Sequence, residues 1–256
     1  MRKSLGINVS PFLRDIEERL RNEVDRSRSP LQRWQIDNPW LLLPAQSPYV
    51  LEVDRQSIDQ YNQSVHDDDK KDIAKSIPEP FIGNPRRARV VLLNLNPGHS
   101  EDDAKAHSDS NFRKAIIQNL QYEPQECPFY ALSPKFAWTA CGIWWRAHTR
   151  RLHEAGLSWE AISEGLFVIE WFPYHSMKGK RLPNRLVCPS QEYSFQLARD
   201  MLDKNLIVVG MRSKKYWLKV DQRVQEMPFL KESPESSHRS ANTGAELFDR
   251  IVEALR

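Results

Sequence analysis

At 256 residues the chain has room for a sizeable core and sits near the upper edge of what one domain holds. Charged residues are 28% and hydrophobic residues 40%, an ordinary globular balance that argues against extended disorder. The net charge of +3 does not by itself establish a nucleic-acid partner, because phosphate binding depends on where Lys and Arg cluster. The basic start, MRKSLGINVSPFL, lacks the apolar run of a secretory signal, and no stretch of about 18 apolar residues occurs, so the expectation is a cytoplasmic protein with no membrane partner. Cys127, Cys141 and Cys188 are odd in number and lack CxxC spacing, which predicts buried thiols, no disulfide and no thiolate metal site.

In chain order, residues 11–27 place Phe12, Ile16, Leu20 and Val24 four apart, one apolar stripe along a charged helix. Residues 55–80 are polar, with Asp67, Asp68 and Asp69 followed by two lysines, and read as a solvated connection or short helices. Residues 1–85 are therefore expected to be a helical extension packed on the core, and residues 86–256 one globular α/β domain. After the turn signal Gly83-Asn84-Pro85, ARVVLLNLN is a continuous apolar run of the kind found in strands covered on both faces. Similar runs lie at 165–172 and 205–211, with helices predicted at 111–120, 138–154 and 191–203 and a weaker fourth strand at 227–231. Alternating strands and helices predict a three-layer α/β/α sandwich around a mostly parallel four-stranded sheet. The closing GAELFDRIVEAL, with Leu247, Ile251 and Leu255 four apart, is a final amphipathic helix.

In such a sheet the ligand crevice lies beyond the carboxyl ends of the strands. Three loops belong there: Asn96 to Ser100, Pro173 to Arg181, and Arg212 to Lys215. Asn-Pro-Gly is also a turn for purely local reasons, and Tyr174, His175 and Ser176 also suit strand-end packing. Glu170 inside an apolar strand needs a partner, either an arginine (Arg146 or Arg150) or a ligand. Lys178, Lys180 and Arg181 form one basic loop and Arg212, Lys214 and Lys215 another; they are either solvated surface or phosphate contacts on the crevice rim. No phosphate-binding glycine loop, dinucleotide turn or hydrolase elbow occurs, and His153-Glu154 lacks the second histidine of a zinc protease helix, so neither metal nor cofactor is expected.

The string VVLLNLNPGHS resembles the first motif of the uracil-DNA glycosylase superfamily, in which an apolar strand ends in Asp or Asn, then Pro, then Tyr or Gly. Asn96, Pro97 and Gly98 resemble its mismatch-specific branch. FVIEWFPYHS stands where that family reads the base edge, LIVVGMRSKKYW resembles its late strand and basic helix start, and SSHRSANTG resembles its His-Pro-Ser motif, with His238 and Ser240 matching and Arg239 in place of proline. An alignment on Ser233-Pro234 moves the histidine position off His238. The chain also resembles uncharacterised bacterial proteins sharing NLNPG and FPYHS.

The resemblance implies a uracil-DNA glycosylase-like fold and a monomeric hydrolase that flips a base from DNA and excises it, leaving an abasic site. Asn96 and His238 then carry the catalysis, Asn96 positioning the attacking water and His238 donating to the departing base. Asn94, Gly98, Phe112, Phe129, Tyr130, Glu170 and Tyr174 bind the base, with the stacking aromatic left open among Phe112, Phe129 and Tyr130. His99, Ser100, His175, Lys178, Lys180, Arg181, Arg212, Lys214, Lys215, Arg239 and Ser240 contact DNA. Gly98, where uracil-specific relatives have Tyr, admits a C5 substituent, and Glu170, where they have Asn, suits an amino group. Together these imply a 5-substituted cytosine, hydroxymethylated or glucosylated as in some phage genomes, and hence antiviral defence. A uracil or mismatch repair glycosylase, a non-catalytic nucleic-acid binder of the same fold and a nucleoside hydrolase are the alternatives.

Overall fold

The computed structural model describes residues 34–64, 76–176, 187–211, 214–228 and 244–256. The chain divides into two compact units, 1–38 and 39–256. Of the first, only residues 34–38 are described, and the helix expected at 11–27 lies outside the described residues. The unit that carries the sheet thus begins at Pro39.

Its elements are α1 (Glu52–Ser64), β1 (Phe81–Ile82), β2 (Val90–Asn94), α2 (Glu101–Ser108), α3 (Ser110–Leu120), α4 (Ala140–Glu154), α5 (Trp159–Gly165), β3 (Leu166–Glu170), α6 (Gln191–Asp203), β4 (Ile207–Gly210), α7 (Lys214–Trp217) and α8 (Ala245–Leu255). The three strands predicted from apolar runs are β2, β3 and β4, and they pair in parallel with β2 in the middle. The fourth strand differs from expectation. It is the two-residue β1, antiparallel to β3 with Phe81 opposite Ile169 and Ile82 opposite Val168, so the sheet is mixed, in the order β1-β3-β2-β4. Of the expected strand at 227–231, residues 229–231 lie outside the described residues; the Gly210 N–H donates to the Pro228 carbonyl at 3.0 Å.

Burial on both faces explains the unbroken apolar runs. In register, Val90, Leu92, Leu166 and Val209 share one face and line a small apolar cavity with Trp145, His148 and Thr149 of α4 and Phe248 and Ile251 of α8. On the other face Phe81 meets Phe167, and Tyr193 of α6 lies at 6.1 Å. Each such side chain taken fully from water contributes roughly 1.5–3 kcal/mol. Gly83 turns the chain between β1 and β2 at φ 107°, where a Cβ would stand 2.5 Å from the Leu166 carbonyl oxygen, so this position admits only glycine.

Of residues 55–80, the stretches 55–64 and 76–80 are described: the first continues α1, one of the short helices the sequence allowed, and the second is buried rather than a solvated connection. Asp54, Ile58 and Tyr61 of α1 are buried, and residues 76–82 are buried without exception. At 76–80 the buried backbone is bonded to the end of the second core strand and the residues after it: the Glu79 N–H donates to the Pro173 carbonyl, and the Pro80 carbonyl accepts from the Glu170 N–H.

Candidate active site

The chain leaves β2 for β3 on one side and crosses back to β4 on the other. The carboxyl end of β2 is therefore the point where strand order reverses, the place where open α/β sheets form a crevice. The sequence places Asn94 to Ser100 there.

Asn94 and Glu170 are opposite each other in register at the ends of β2 and β3. The Asn94 amide donates to Glu170 Oε1 at 2.9 Å, and both residues are buried. Neither Arg146 nor Arg150 is the partner found for Glu170: Arg146 donates to the Leu132 carbonyl and Arg150 pairs with Glu154. With its Nδ2 turned to Glu170, Asn94 presents Oδ1 as a buried acceptor that meets no donor among the described residues. Its backbone carbonyl accepts from Trp217 Nε1 at 2.8 Å, which ties α7 to the end of the central strand.

Asn96 is half-buried, and its Nδ2 donates to the Pro97 carbonyl at 2.7 Å. Its Oδ1 is thereby turned to accept. Gly98 is exposed, and a Cβ built on it meets nothing within 4 Å, so the missing side chain leaves open space. Ser100 caps α2, accepting from the Asp103 N–H and donating to Asp103 Oδ2. The turn is sewn to the end of the second core strand: Gly98 bridges to Ser176, and the Ser176 N–H donates to the Pro97 carbonyl at 3.2 Å.

Beneath the turn lies a buried cluster that sequence reading assigned in part to DNA. His175 is 2% exposed. Its Nδ1 faces the Gly98 carbonyl at 2.6 Å, and its Nε2 faces the Ile77 carbonyl at 3.1 Å and Glu79 Oε2 at 3.0 Å. All three neighbours only accept, so both ring nitrogens carry protons and the ring is an imidazolium. Burial alone would lower its pKa; the hydrogen bond and charge of Glu79, with the Gly98 carbonyl, hold it above the ordinary histidine value. Burial would raise the Glu79 carboxyl, but the hydrogen bond and charge of His175, with a hydrogen bond donated by Tyr130, keep it low.

His107 completes the cluster and is the one member that stays neutral. Burial and the charge of His175 push it down to about 3. Glu79, His107 and His175 bring their ligand atoms within 4.8 Å of one another, the one such group among the described residues. Their donor set suits an ion pair better than a cation: His107 Nδ1 accepts the Ile77 N–H at 3.2 Å, which puts the proton of a neutral ring on Nε2, and both His175 nitrogens are protonated. Glu79 and His107 were invisible to motif reading, since Glu79 sits in the polar stretch before β1 and His107 in a charged helix. The alternation of Ile77, Glu79 and Phe81 was the available signal.

The remaining candidates fall in different places. Phe112 and Phe129 are core rings, Phe112 edge-on to His107, Tyr130 and Phe136 and Phe129 edge-on to Trp145. Tyr130 is buried against Glu79. Tyr174 is fully buried; its hydroxyl donates to Asp54 Oδ2 at 2.6 Å and accepts the Leu51 N–H, anchoring α1 to the second core strand. His99 is half-buried with Nδ1 3.3 Å from Ser76 Oγ. Lys214 donates to the Gln225 carbonyl and Lys215 lies over the Tyr216 ring. Lys178, Lys180, Arg181, Arg212, His238, Arg239 and Ser240 lie outside the described residues.

No family model, curated protein or solved structure matches this chain. None of the helices among the described residues is long and apolar enough to cross a membrane.

Proposed function

We propose that this chain is a uracil-DNA glycosylase-like enzyme that excises a flipped 5-substituted cytosine. The observation that carries the reading is the buried Asn94–Glu170 pair, held side by side at the ends of neighbouring parallel strands, below the Asn96 turn. A carboxylate accepts about four hydrogen bonds and donates none when ionised, and Asn94 Oδ1 adds a second acceptor. Two acceptors suit an exocyclic amino group, which cytosine has and uracil lacks. The open space at Gly98 suits a substituent at C5. Asn96 Oδ1, with its amide nitrogen committed to Pro97, can accept a hydrogen from the water that attacks the sugar, and His238 is assigned to the leaving base. Phage DNA carrying hydroxymethylated or glucosylated cytosine would be the target and antiviral defence the role.

The test compares duplexes containing uracil, cytosine, hydroxymethylcytosine or its glucosylated form, each treated with alkali to break the strand at abasic sites. Strand breaks at the modified cytosines are expected. Glu170→Gln, which replaces one of the two acceptor oxygens by an NH2 donor, should lose about 1–3 kcal/mol of preference for them over uracil. Gly98→Tyr fits the backbone and should close the C5 side. Preference for uracil in the wild type, or modified-cytosine activity that ignores Gly98→Tyr, would remove the cytosine assignment even if base release survived.

A further inference from the structure

We propose that His175 is the positioning residue of the Asn96–Ser100 turn: its Nδ1–H fixes the Gly98 carbonyl and, through it, where the Asn96 carboxamide stands. The assignment rests on the reading of that turn as the reactive centre. Gly98 has no side chain with which to anchor itself and its surroundings are open, so its carbonyl is the handle by which the protein holds it. The adjoining carbonyl, that of Pro97, accepts both from the Ser176 N–H and from the side chain of Asn96 itself. Residues 175 and 176 thus hold two successive carbonyls of the turn. The bond from His175 is the shorter, at 2.6 Å.

The ring can act as a fixed point because its other nitrogen is clamped. Nε2 lies against the Ile77 carbonyl and Glu79 Oε2, while Glu79 is held by the Tyr130 hydroxyl and, through its backbone N–H, by Pro173. The titratable groups facing the ring are Glu79 from the segment before β1, His107 and Asp103 from α2, and His99 from the turn; Arg113 stands behind His107. Of these, Glu79 is the counter-charge in contact, and His107 is neutral. A bond of this kind needs no contact with substrate. Its effect is on geometry, and a displacement of about 1 Å at a reacting group costs on the order of 100-fold in rate.

Two independent readouts test this. The first follows the ring nitrogens of His175 and the amide of His99, whose peptide bond contains the Gly98 carbonyl, by nuclear magnetic resonance as pH is raised; it requires no reaction. The His99 amide should shift with the same midpoint as the His175 ring. The second measures base release by His175→Ala and His175→Gln. His175→Ala should lose about 100-fold in kcat with KM changed less than about threefold, and His175→Gln, which still offers an N–H to Gly98, should recover part of that loss. A folded His175→Gln variant no better than His175→Ala, or one with unchanged kcat, overturns the assignment. So does a His99 amide that ignores the His175 titration. If the wild type releases no base from any of the DNAs, the glycosylase reading falls and the resonance measurement alone decides whether His175 holds the turn.

Discussion

Asn96→Ala is expected to lower base release by about 100-fold or more while leaving DNA affinity within a few fold. Asn96 is the polar side chain presented just past the end of the central strand, half-buried, with its amide nitrogen turned back to the Pro97 carbonyl. That bond orients Oδ1 to receive a hydrogen from water. A neutral amide is a weak base, so its contribution lies in placing the nucleophile, and alanine removes that placement without touching the groups that would hold phosphates. Single-turnover release from modified-cytosine DNA, measured beside binding at two salt concentrations, separates the two effects. Wild-type rates in Asn96→Ala would remove this turn from the mechanism.

Glu79→Gln is expected to destabilise the fold by about 3–5 kcal/mol, the usual consequence of taking one partner from a buried ion pair. The substitution leaves the His175 imidazolium beneath the turn without its counter-charge. The pH dependence of wild-type stability follows from three shifts. His175 is raised from 6.5, so its contribution is complete below 6.5 and is lost as pH rises through its folded value. Glu79 is lowered from 4.5, so its contribution is complete above 4.5 and is lost as pH falls through its folded value. His107 is lowered from 6.5 to about 3, so its contribution is complete above 6.5 and is lost over that interval on acidification. Stability from this cluster should therefore peak near pH 6.5 and decline on both sides, more steeply below pH 4.5, where the loss from Glu79 adds to that from His107. In Glu79→Gln the alkaline decline should vanish, because His175 no longer has a raised pKa to lose. Urea unfolding on either side of that maximum checks both statements; an unchanged alkaline limb in Glu79→Gln would show that the pair does not carry it.

The parallel strands were legible in the sequence because burial on both faces forces unbroken apolar runs, and β2, β3 and β4 have them. The helices at 110–120, 140–154 and 191–203 were legible from spacing and fell within two residues of expectation at each end. β1 was not legible: two residues carry no periodicity, and its neighbours Ser76, Glu79 and Pro80 read as loop. The same blindness hid Glu79, one of the three members of the buried cluster. His175 was singled out for its place after a strand, and the contact that defines it comes from Glu79, nearly a hundred residues earlier, which no local pattern connects to it. Asn94 and Glu170 were both singled out, but their bond depends on register, and register is fixed by pairing rather than by either strand alone.

Segment 76–82 also bears on how the chain can be cut. A fragment begun at residue 86, where the composition changes, would keep the three parallel strands and the Asn-Pro-Gly turn, and would look like a minimal catalytic module. It would lack Phe81 from one face of the sheet, the β1 pairing that covers the edge of β3, the carboxylate that neutralises His175 and the Asp54 acceptor of Tyr174. An uncovered strand edge is a template for pairing with other chains. Shortened versions made for expression should therefore retain everything from Pro39 onward, and those begun at residue 86 should be recovered mainly as aggregate.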